Sequence, residues 1–186
     1  MSVLTYPGIA EYTLPQKNIL VLGCIDLRLT DNLLHFLDYD NLTNRYDHFS
    51  LAGTSLCLCA DGKHRALFNE KQLAKYNDFK SWGETFFHHL QIAIALHQIK
   101  DVYIVEHTNC GAYEEFLKEG KFENAAAERK AHKAFAQELA QRLNKQPYEE
   151  YNEKTKKTEP YKLNVHCFLL DLRGNVELLY TTNKPK

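Results

Sequence analysis

The chain has 186 residues, of which 44% are hydrophobic, and its 23 basic and 24 acidic residues leave a formal net charge of −1. A single domain of this size can bury a sizeable core, and the balanced charge argues against a nucleic acid or an anionic membrane surface as the partner. We therefore predict one domain over residues 1–186 that acts on a small molecule.

The sequence also carries information on the compartment. The stretch MSVLTYPGIAEYTLPQKN at the N-terminus lacks a basic segment followed by an apolar one, and no stretch approaches 18 consecutive apolar residues. The five cysteines are odd in number and spread over a mid-sized chain, which is not the pattern of a disulfide framework. We predict a cytoplasmic protein, without a membrane segment, whose reduced thiols are available for a metal or for chemistry.

Strand and helix patterns alternate in the first part of the chain. Residues 18–24 (NILVLGC) are continuously apolar up to the final cysteine, as in a strand covered on both faces. Residues 30–40 have leucines at helical spacing. Residues 47–53 (DHFSLAG) are predicted to form a second short strand that ends at a glycine. Residues 55–65 are predicted to be a strand or a loop.

The alternation continues in the middle of the chain. Residues 81–99 place large apolar side chains along one helical face, and we expect this helix to be largely buried. Residues 101–107 (DVYIVEH) are the third predicted strand, and a helix starts directly after it, over 110–120. A longer helix is predicted for 123–144. Residues 145–162 are polar and nearly free of aliphatic side chains, so we predict an exposed loop there.

The C-terminal part completes the predicted architecture. Residues 163–172 read as a strand, and Gly174 and Asn175 turn the chain into residues 176–180 (VELLY), an expected antiparallel edge strand. Strands that alternate with helices indicate a parallel sheet. The predicted fold is therefore α/β, with a mostly parallel central sheet, flanking helices and an antiparallel C-terminal edge strand.

Two clusters of reactive side chains follow predicted strands. The segment CIDLR, which contains Cys24, Asp26 and Arg28, closes the first strand, and EHTNCG, which contains His107 and Cys110, closes the third. In parallel sheets, sites form at the carboxyl ends of the strands. If these two strands are neighbours, the two cysteines and the histidine converge at one edge of the sheet.

Two thiolates and an imidazole form a ligand set that zinc prefers, and three protein ligands leave a fourth position open, as in catalytic zinc sites. The His-x-x-Cys spacing alone is a weak signal, and the distant Cys24 makes it stronger. The alternative for each cysteine is ordinary packing, since free cysteines near strand ends are commonly small buried apolar residues. Packing is the role that we predict for Cys57, Cys59 and Cys167.

The pattern Cys-x-Asp-x-Arg after one strand and His-x-x-Cys-Gly after a later strand resembles the β-class carbonic anhydrases. The resemblance covers residues 18–56, 80–118 and 163–180, including FFHHLQIAIALHQIKDVYIVEHTNCGAY and NVHCFLLDLRGNVELL. It implies that the ligands of a Zn²⁺ cofactor are Cys24, His107 and Cys110.

The resemblance also implies an activity, which is hydration of carbon dioxide to bicarbonate by a zinc-bound hydroxide. Asp26 and Arg28 would be the catalytic pair of the family. Asp26 would accept a hydrogen bond from the zinc-bound water or hydroxide, and Arg28 would hold Asp26 ionised and in place. In the family, the aspartate can instead become a fourth zinc ligand and close the site. The family builds its pocket at a two-fold interface, so we expect a homodimer or a higher even oligomer.

The chain departs from the family at one place that matters for the substrate. Members usually carry Arg-Asn-Ala-Gly after the second strand, whereas Ser50, Leu51, Ala52 and Gly53 stand here. Two alternatives therefore stay open, namely a related zinc enzyme that acts on another small electrophile, such as carbon disulfide or carbonyl sulfide, and a non-catalytic zinc protein of the same fold. A cysteine-dependent phosphatase is excluded, because its arginine would stand where this chain has Thr30.

Overall fold

The computed structural model describes residues 4–8, 10–152 and 155–185, with the side chains of residues 150–152 left aside. The helices and strands follow in chain order: β1 Ile19–Gly23, α1 Thr30–Tyr39, β2 Tyr46–Ser50, α2 Ser55–Leu58, α3 Glu70–Lys75, α4 Lys80–His97, β3 Asp101–His107, α5 Gly111–Phe116, α6 Ala125–Lys145, β4 Tyr148–Asn152, β5 Lys157–Tyr161, β6 Asn164–Leu170 and β7 Val176–Thr181. Two short 3₁₀ turns flank α3.

The central sheet has five strands in the order β2-β1-β3-β6-β7. The first four strands are parallel to one another, and β7 runs antiparallel to β6 at the edge. This confirms the predicted α/β fold with its antiparallel C-terminal edge strand. Because β1 lies between β2 and β3, its residues are buried throughout, which explains the unbroken apolar run in the sequence.

Both faces of the sheet are covered, each by its own apolar cluster. One cluster packs α2, α4 and α6 against the sheet, with Phe86, Phe135 and Leu139 among its buried side chains. The other packs α1 and the N-terminal segment against the opposite face, with Phe36 and Tyr103 fully buried. In the parts of the chain that the structure describes, no helix is both long enough and apolar enough to cross a membrane.

Residues 55–65 differ from the prediction of a strand or a loop. Gly53 and Thr54 have positive φ angles of 73° and 49°, and they turn the chain into the short helix α2. A Cβ on Gly53 would lie 2.9 Å from that of Ala112, so this close approach requires glycine. Cys57 and Cys59 therefore belong to a helix and its C-terminal cap, and both are buried.

The prediction that the helix over residues 81–99 is largely buried is wrong for the single chain. Only Phe86, Leu90 and Ala93 of α4 are buried, because a single stripe of the helix faces the sheet. Beside that stripe lie Ile92 and Leu96, which are 55% and 70% exposed.

The prediction of an exposed loop over residues 145–162 is also wrong in part. The segment is exposed along β5, but it forms the antiparallel pair β4-β5 with Tyr148 opposite Tyr161. The rings of these two tyrosines pack with their centroids 5.8 Å apart. Cross-strand aromatic pairs stabilise such a hairpin without aliphatic side chains.

The helix predicted over 110–120 is shorter in the structure, since Leu117 leaves α5 to pair with Phe68.

Candidate metal centre

The two reactive loops meet because the strands that precede them are neighbours. β1 and β3 pair in parallel, with Gly23 opposite Val105, so both strands end at the same edge of the sheet. Cys24 follows β1 directly, His107 is the last residue of β3, and Cys110 comes three residues later, just before α5. The topology thus brings together the three residues that the sequence analysis singled out.

The side chains of Cys24, His107 and Cys110 converge on one point. Their possible ligand atoms all lie within 4.8 Å of one another, and the two sulfur atoms are 4.0 Å apart. Histidine, cysteine and acidic side chains can all bind metals, and among the described residues these three have ligand atoms close enough together to hold one ion. Their role as ligands stays a prediction.

The imidazole of His107 is oriented for a ligand role. Its Nδ1 lies 2.9 Å from the carbonyl oxygen of Thr108, which can only accept a hydrogen bond, so Nδ1 carries the proton. The Nε2 atom then presents its lone pair to the two sulfur atoms. Nε2 is buried and has no hydrogen-bond partner among the described residues. A buried polar atom without a partner is unfavourable, and a zinc ion is the partner that this donor set fits.

The two thiols differ in acidity. The pKa of Cys24 is lowered, chiefly by the hydrogen bond with the Cys110 thiol, against the opposing effect of burial. The backbone amide of Gly53 adds to the lowering. The same interaction raises the pKa of Cys110. One thiolate is therefore available without a metal, and a cation at the site would favour ionisation of the second.

The remaining cysteines lie in a different environment. Cys57, Cys59 and Cys167 are all buried, and burial raises the pKa of each thiol. Cys59 and Cys167 donate to the backbone oxygens of Phe135 and Ala136, at 3.7 and 3.5 Å. These contacts are those of packed core thiols, in agreement with the predicted role.

Asp26 and Arg28 form a two-pronged ion pair beside the three converging residues. Arg28 Nε donates to Oδ1 of Asp26 at 2.8 Å, and Nη2 donates to Oδ2 at 2.5 Å. The backbone amide of Arg28 also donates to Oδ1, at 3.0 Å. These hydrogen bonds hold the pKa of Asp26 far below its usual range, so the carboxylate is ionised at neutral pH. Its Oδ2 lies 3.9 Å from Nε2 of His107.

A small pocket of about 80 Å³ adjoins these groups. Its polar lining comes from Asp26, Cys24 and His107. His48, which lies on β2, adds to this lining. The apolar lining belongs to the cluster under α1, and its side chains are those of Leu29, Leu33, Val105 and Leu170. This volume is well below the roughly 300 to 1,000 Å³ of typical ligand pockets, so the pocket suits a small ligand.

The loop after β2 supplies two contacts to Cys24. Ser50 donates its hydroxyl to the backbone oxygen of Cys24 at 3.0 Å, and Gly53 directs its amide to the sulfur. The glycine of the Ala-Gly pair therefore supports the thiolate. Ser50 also lines the pocket, as does His48.

A buried carboxylate, which the sequence analysis missed, lies directly behind His107. Glu106 is 1% exposed and accepts hydrogen bonds from the amide and the hydroxyl of Ser55 and from the hydroxyl of Tyr113. Its Oε2 also lies 3.0 Å from Nδ1 of His132 on α6. A charged residue inside the apolar run of β3 was a usable signal. His48 and His132 gave no local signal, since only the tertiary fold brings them near the site.

Comparisons with known proteins give few relatives. No protein-family model matches the chain. Uncharacterized proteins of Rickettsia bellii and Rickettsia conorii are each 28% identical to it over 168 residues, which is 90% of this chain and 85% and 75% of the respective relative. A solved structure of a tetrameric β-carbonic anhydrase from Sordaria macrospora is similar at 14% identity and a TM-score of 0.38, and the match covers 89% of this chain and 82% of that one.

Proposed function

We propose that this protein is a zinc enzyme that hydrates carbon dioxide to bicarbonate, with Cys24, His107 and Cys110 as the metal ligands. The observation that carries the proposal is the convergence of two thiols and a buried, unpartnered imidazole nitrogen beside a pocket that suits a small ligand. Zinc, when bound, acts as a Lewis acid and supplies a nucleophile derived from water near neutral pH. Three protein ligands leave a position open for that chemistry.

Asp26 and Arg28 have the geometry of a catalytic pair. The ionised carboxylate of Asp26 faces the converging ligands and can accept a hydrogen bond from a water molecule, which fixes the direction of the attacking lone pair. Arg28 holds both carboxylate oxygens, so Asp26 has little freedom to rotate. Arg28 also donates to the backbone oxygen of Asn109 at 3.1 Å, which ties the pair to the turn between His107 and Cys110.

The size and the apolar lining of the pocket support a small neutral substrate. Carbon dioxide has three atoms and no net charge, which suits the lining formed with Leu29 and Leu170. Carbonyl sulfide and carbon disulfide have the same linear shape, and they stay a second candidate class because Ser50 and Leu51 stand where the resemblance would place Arg-Asn. Hydroxide attack on the central carbon is common to all three molecules.

We further propose that residues 1–186 act as one domain and that the protein is a cytoplasmic homodimer or higher even oligomer. The described cysteines are all free, and free thiols persist in a reducing compartment such as the cytosol. The exposed side of α4 and the residues that flank Asp26 support assembly, since Ile25 is 64% and Leu27 87% exposed in the single chain. Apolar side chains of this size beside a site are typical of surfaces that a partner covers.

The test is stopped-flow hydration of carbon dioxide on protein whose metal content has been measured. We expect about one zinc per chain and turnover in the wild type. Cys24→Ala should lose zinc and activity together, whereas Cys167→Ala, a matched change in the core, should keep both. Zinc-loaded wild type that does not hydrate carbon dioxide would refute the proposal. Release of hydrogen sulfide from carbonyl sulfide or carbon disulfide would then identify the second class, and no turnover of any of them would indicate a non-catalytic zinc protein.

A further inference from the structure

The turn between His107 and Cys110 contains a residue in an unfavourable backbone conformation. Asn109 has a φ angle of 55°, in the left-handed region, although it is not glycine. Asparagine tolerates this region better than most residues, yet the conformation is still higher in energy than the right-handed one. The spacing of His107 and Cys110 depends on this turn, so contacts that hold Asn109 in place also hold the site.

Both backbone polar groups of Asn109 are bound by charged side chains from other parts of the fold. Its N–H donates to Oε1 of Glu128 on α6 at 2.6 Å, and its carbonyl oxygen accepts from Nη2 of Arg28 at 3.1 Å. The preceding N–H, that of Thr108, donates to the backbone oxygen of Leu170 at 3.0 Å. The turn is therefore fixed from three directions, and Glu128 supplies the shortest of these contacts.

Glu128 is itself held in place. Its side chain is 14% exposed, and its Oε1 lies 3.9 Å from Nε2 of the fully buried His132, one helical turn further along α6. The other ring nitrogen of His132 lies 3.0 Å from the carboxylate of Glu106, the residue next to His107 in β3. The series Glu128, His132 and Glu106 thus runs from the turn back to the strand that carries the histidine.

We propose that Glu128 is a positioning residue that holds the Asn109 peptide in its left-handed conformation and thereby keeps His107 and Cys110 at metal-binding distance. This inference rests on the proposed zinc site. Hydrogen-bond partners of a metal-binding element typically contribute about 10- to 100-fold to metal affinity or activity. The contact is short, at 2.6 Å, so the oxygen of Glu128 is fixed with respect to the Asn109 N–H.

A competing explanation is that Glu128 acts through its charge. It stands in the first turn of α6, where a carboxylate stabilises a helix without any contact to the turn. Two substitutions separate the explanations. Glu128→Gln removes the charge but keeps an oxygen at the same reach for the Asn109 N–H. Glu128→Asp keeps the charge in the first helical turn but withdraws the oxygen by one methylene group. Glu119→Gln, at an exposed glutamate, is the matched control.

The first measurement is the rate at which zinc-loaded protein releases its metal to excess EDTA. We expect Glu128→Gln and Glu119→Gln to release zinc at close to the wild-type rate and Glu128→Asp to release it about 10- to 100-fold faster. The cobalt-substituted Glu128→Asp protein should also show altered thiolate-to-cobalt absorption bands. Any other pattern of release rates would overturn the proposal, including fast release of zinc from Glu128→Gln with slow release from Glu128→Asp.

The second measurement does not depend on the metal. Amide hydrogen exchange of the peptide that contains Asn109, in the full chain after chelation, should be slow in wild type and Glu128→Gln and faster in Glu128→Asp. If the wild type bound no zinc, the proposed function would fail, and this measurement would still decide on Glu128. Equal exchange in all variants would refute the positioning role even for a protein that binds zinc.

Discussion

Oδ2 of Asp26 lies 3.9 Å from Nε2 of His107, while Arg28 binds both oxygens of the same carboxylate. The aspartate is therefore within reach of the point that the imidazole faces, and the arginine holds it at a fixed orientation there. If the site holds a metal as proposed, Asp26 can either accept a hydrogen bond from a water molecule at the site or turn towards the ion itself. The hydrogen bonds from Arg28 favour the first role.

Substitution of Asp26 tests that role directly. Asp26→Ala should keep about one zinc per chain, because the three proposed ligands are intact, and should lower the turnover of carbon dioxide on the order of 10²-fold or more. Stopped-flow hydration with metal analysis on the same sample measures both quantities. Asp38→Ala, at an exposed carboxylate on α1, is the control. Wild-type turnover in zinc-loaded Asp26→Ala would contradict the catalytic assignment.

Arg28→Ala should act in the same direction. Without the guanidinium group, Asp26 is freer to rotate towards the metal, so turnover falls while zinc stays bound. Arg28→Lys should recover little of the lost turnover, because an ammonium group cannot make the two parallel hydrogen bonds. If the pair were only an ion pair at the end of a strand, its contribution to stability would be about 1 kcal/mol or less, because the arginine is half exposed. Activity unchanged in both variants would favour that simpler explanation.

Much of this site could be predicted from the sequence. The convergence of Cys24, His107 and Cys110 follows from two apolar strands that each end in reactive residues, because parallel neighbours deliver their ends to one edge. The structure confirms the mostly parallel sheet with its antiparallel edge strand, and it brings the three side chains close together. Binding of zinc by these residues, and the roles of Asp26 and Arg28, stay predictions.

Other features could not be predicted, because they depend on contacts between distant segments. The helix after Gly53 exists because two positive φ angles and a close approach to Ala112 turn the chain. The exposed side of α4 could not be predicted from its apolar residues, since periodicity does not say how many elements pack against a helix. The contact of Glu128 with Asn109 joins the helix α6 to the turn after β3, and nothing in the sequence around Glu128 indicates it.

The buried His132 predicts a dependence of stability on pH. Burial lowers its pKa, but the carboxylates of Glu106 and Glu128 outweigh this effect and raise the pKa above the ordinary value, while the ring of Tyr113 covers one face. A raised pKa in the folded state stabilises the protein fully below the unfolded value of about 6.5, and the contribution is lost as the pH rises through the folded value.

We therefore expect His132→Gln to lower the free energy of unfolding of the metal-free protein by about 1 to 3 kcal/mol at pH 6, as for other hydrogen bonds to charged groups. The difference from wild type should shrink as the pH is raised. Urea unfolding of both proteins over a pH series gives this difference. Ionisation of the thiols affects the free energy of unfolding of both proteins equally, so it cancels in the comparison. A difference that stays constant with pH would show that His132 is not charged in the folded protein.

The exposed side of α4 predicts self-association. Leu96 and Ile92 lie one helical turn apart and are 70% and 55% exposed, so a second copy of the chain can cover them. Light scattering at micromolar concentration should show a dimer or a higher even oligomer. Leu96→Lys should raise the dissociation constant about tenfold or more, since burial of one leucine contributes about 1.5 to 3 kcal/mol. Leu67→Lys, at a leucine that is 50% exposed elsewhere, should have no effect. A monomeric wild type would contradict the prediction.

The pairing of β1 with β3 has a consequence for the order of events during folding. Cys24 and Cys110 are 86 positions apart in the chain, yet their sulfur atoms are 4.0 Å apart once these strands lie side by side. Closing so long a loop has an entropic cost, which the apolar packing of the intervening segments can offset whether or not an ion is present. If the site binds zinc as proposed, the metal would then be acquired late, by a chain that already has its sheet. Newly synthesised protein would await its metal in a folded form, and withdrawal of zinc would disturb the rim of the sheet and leave its centre intact.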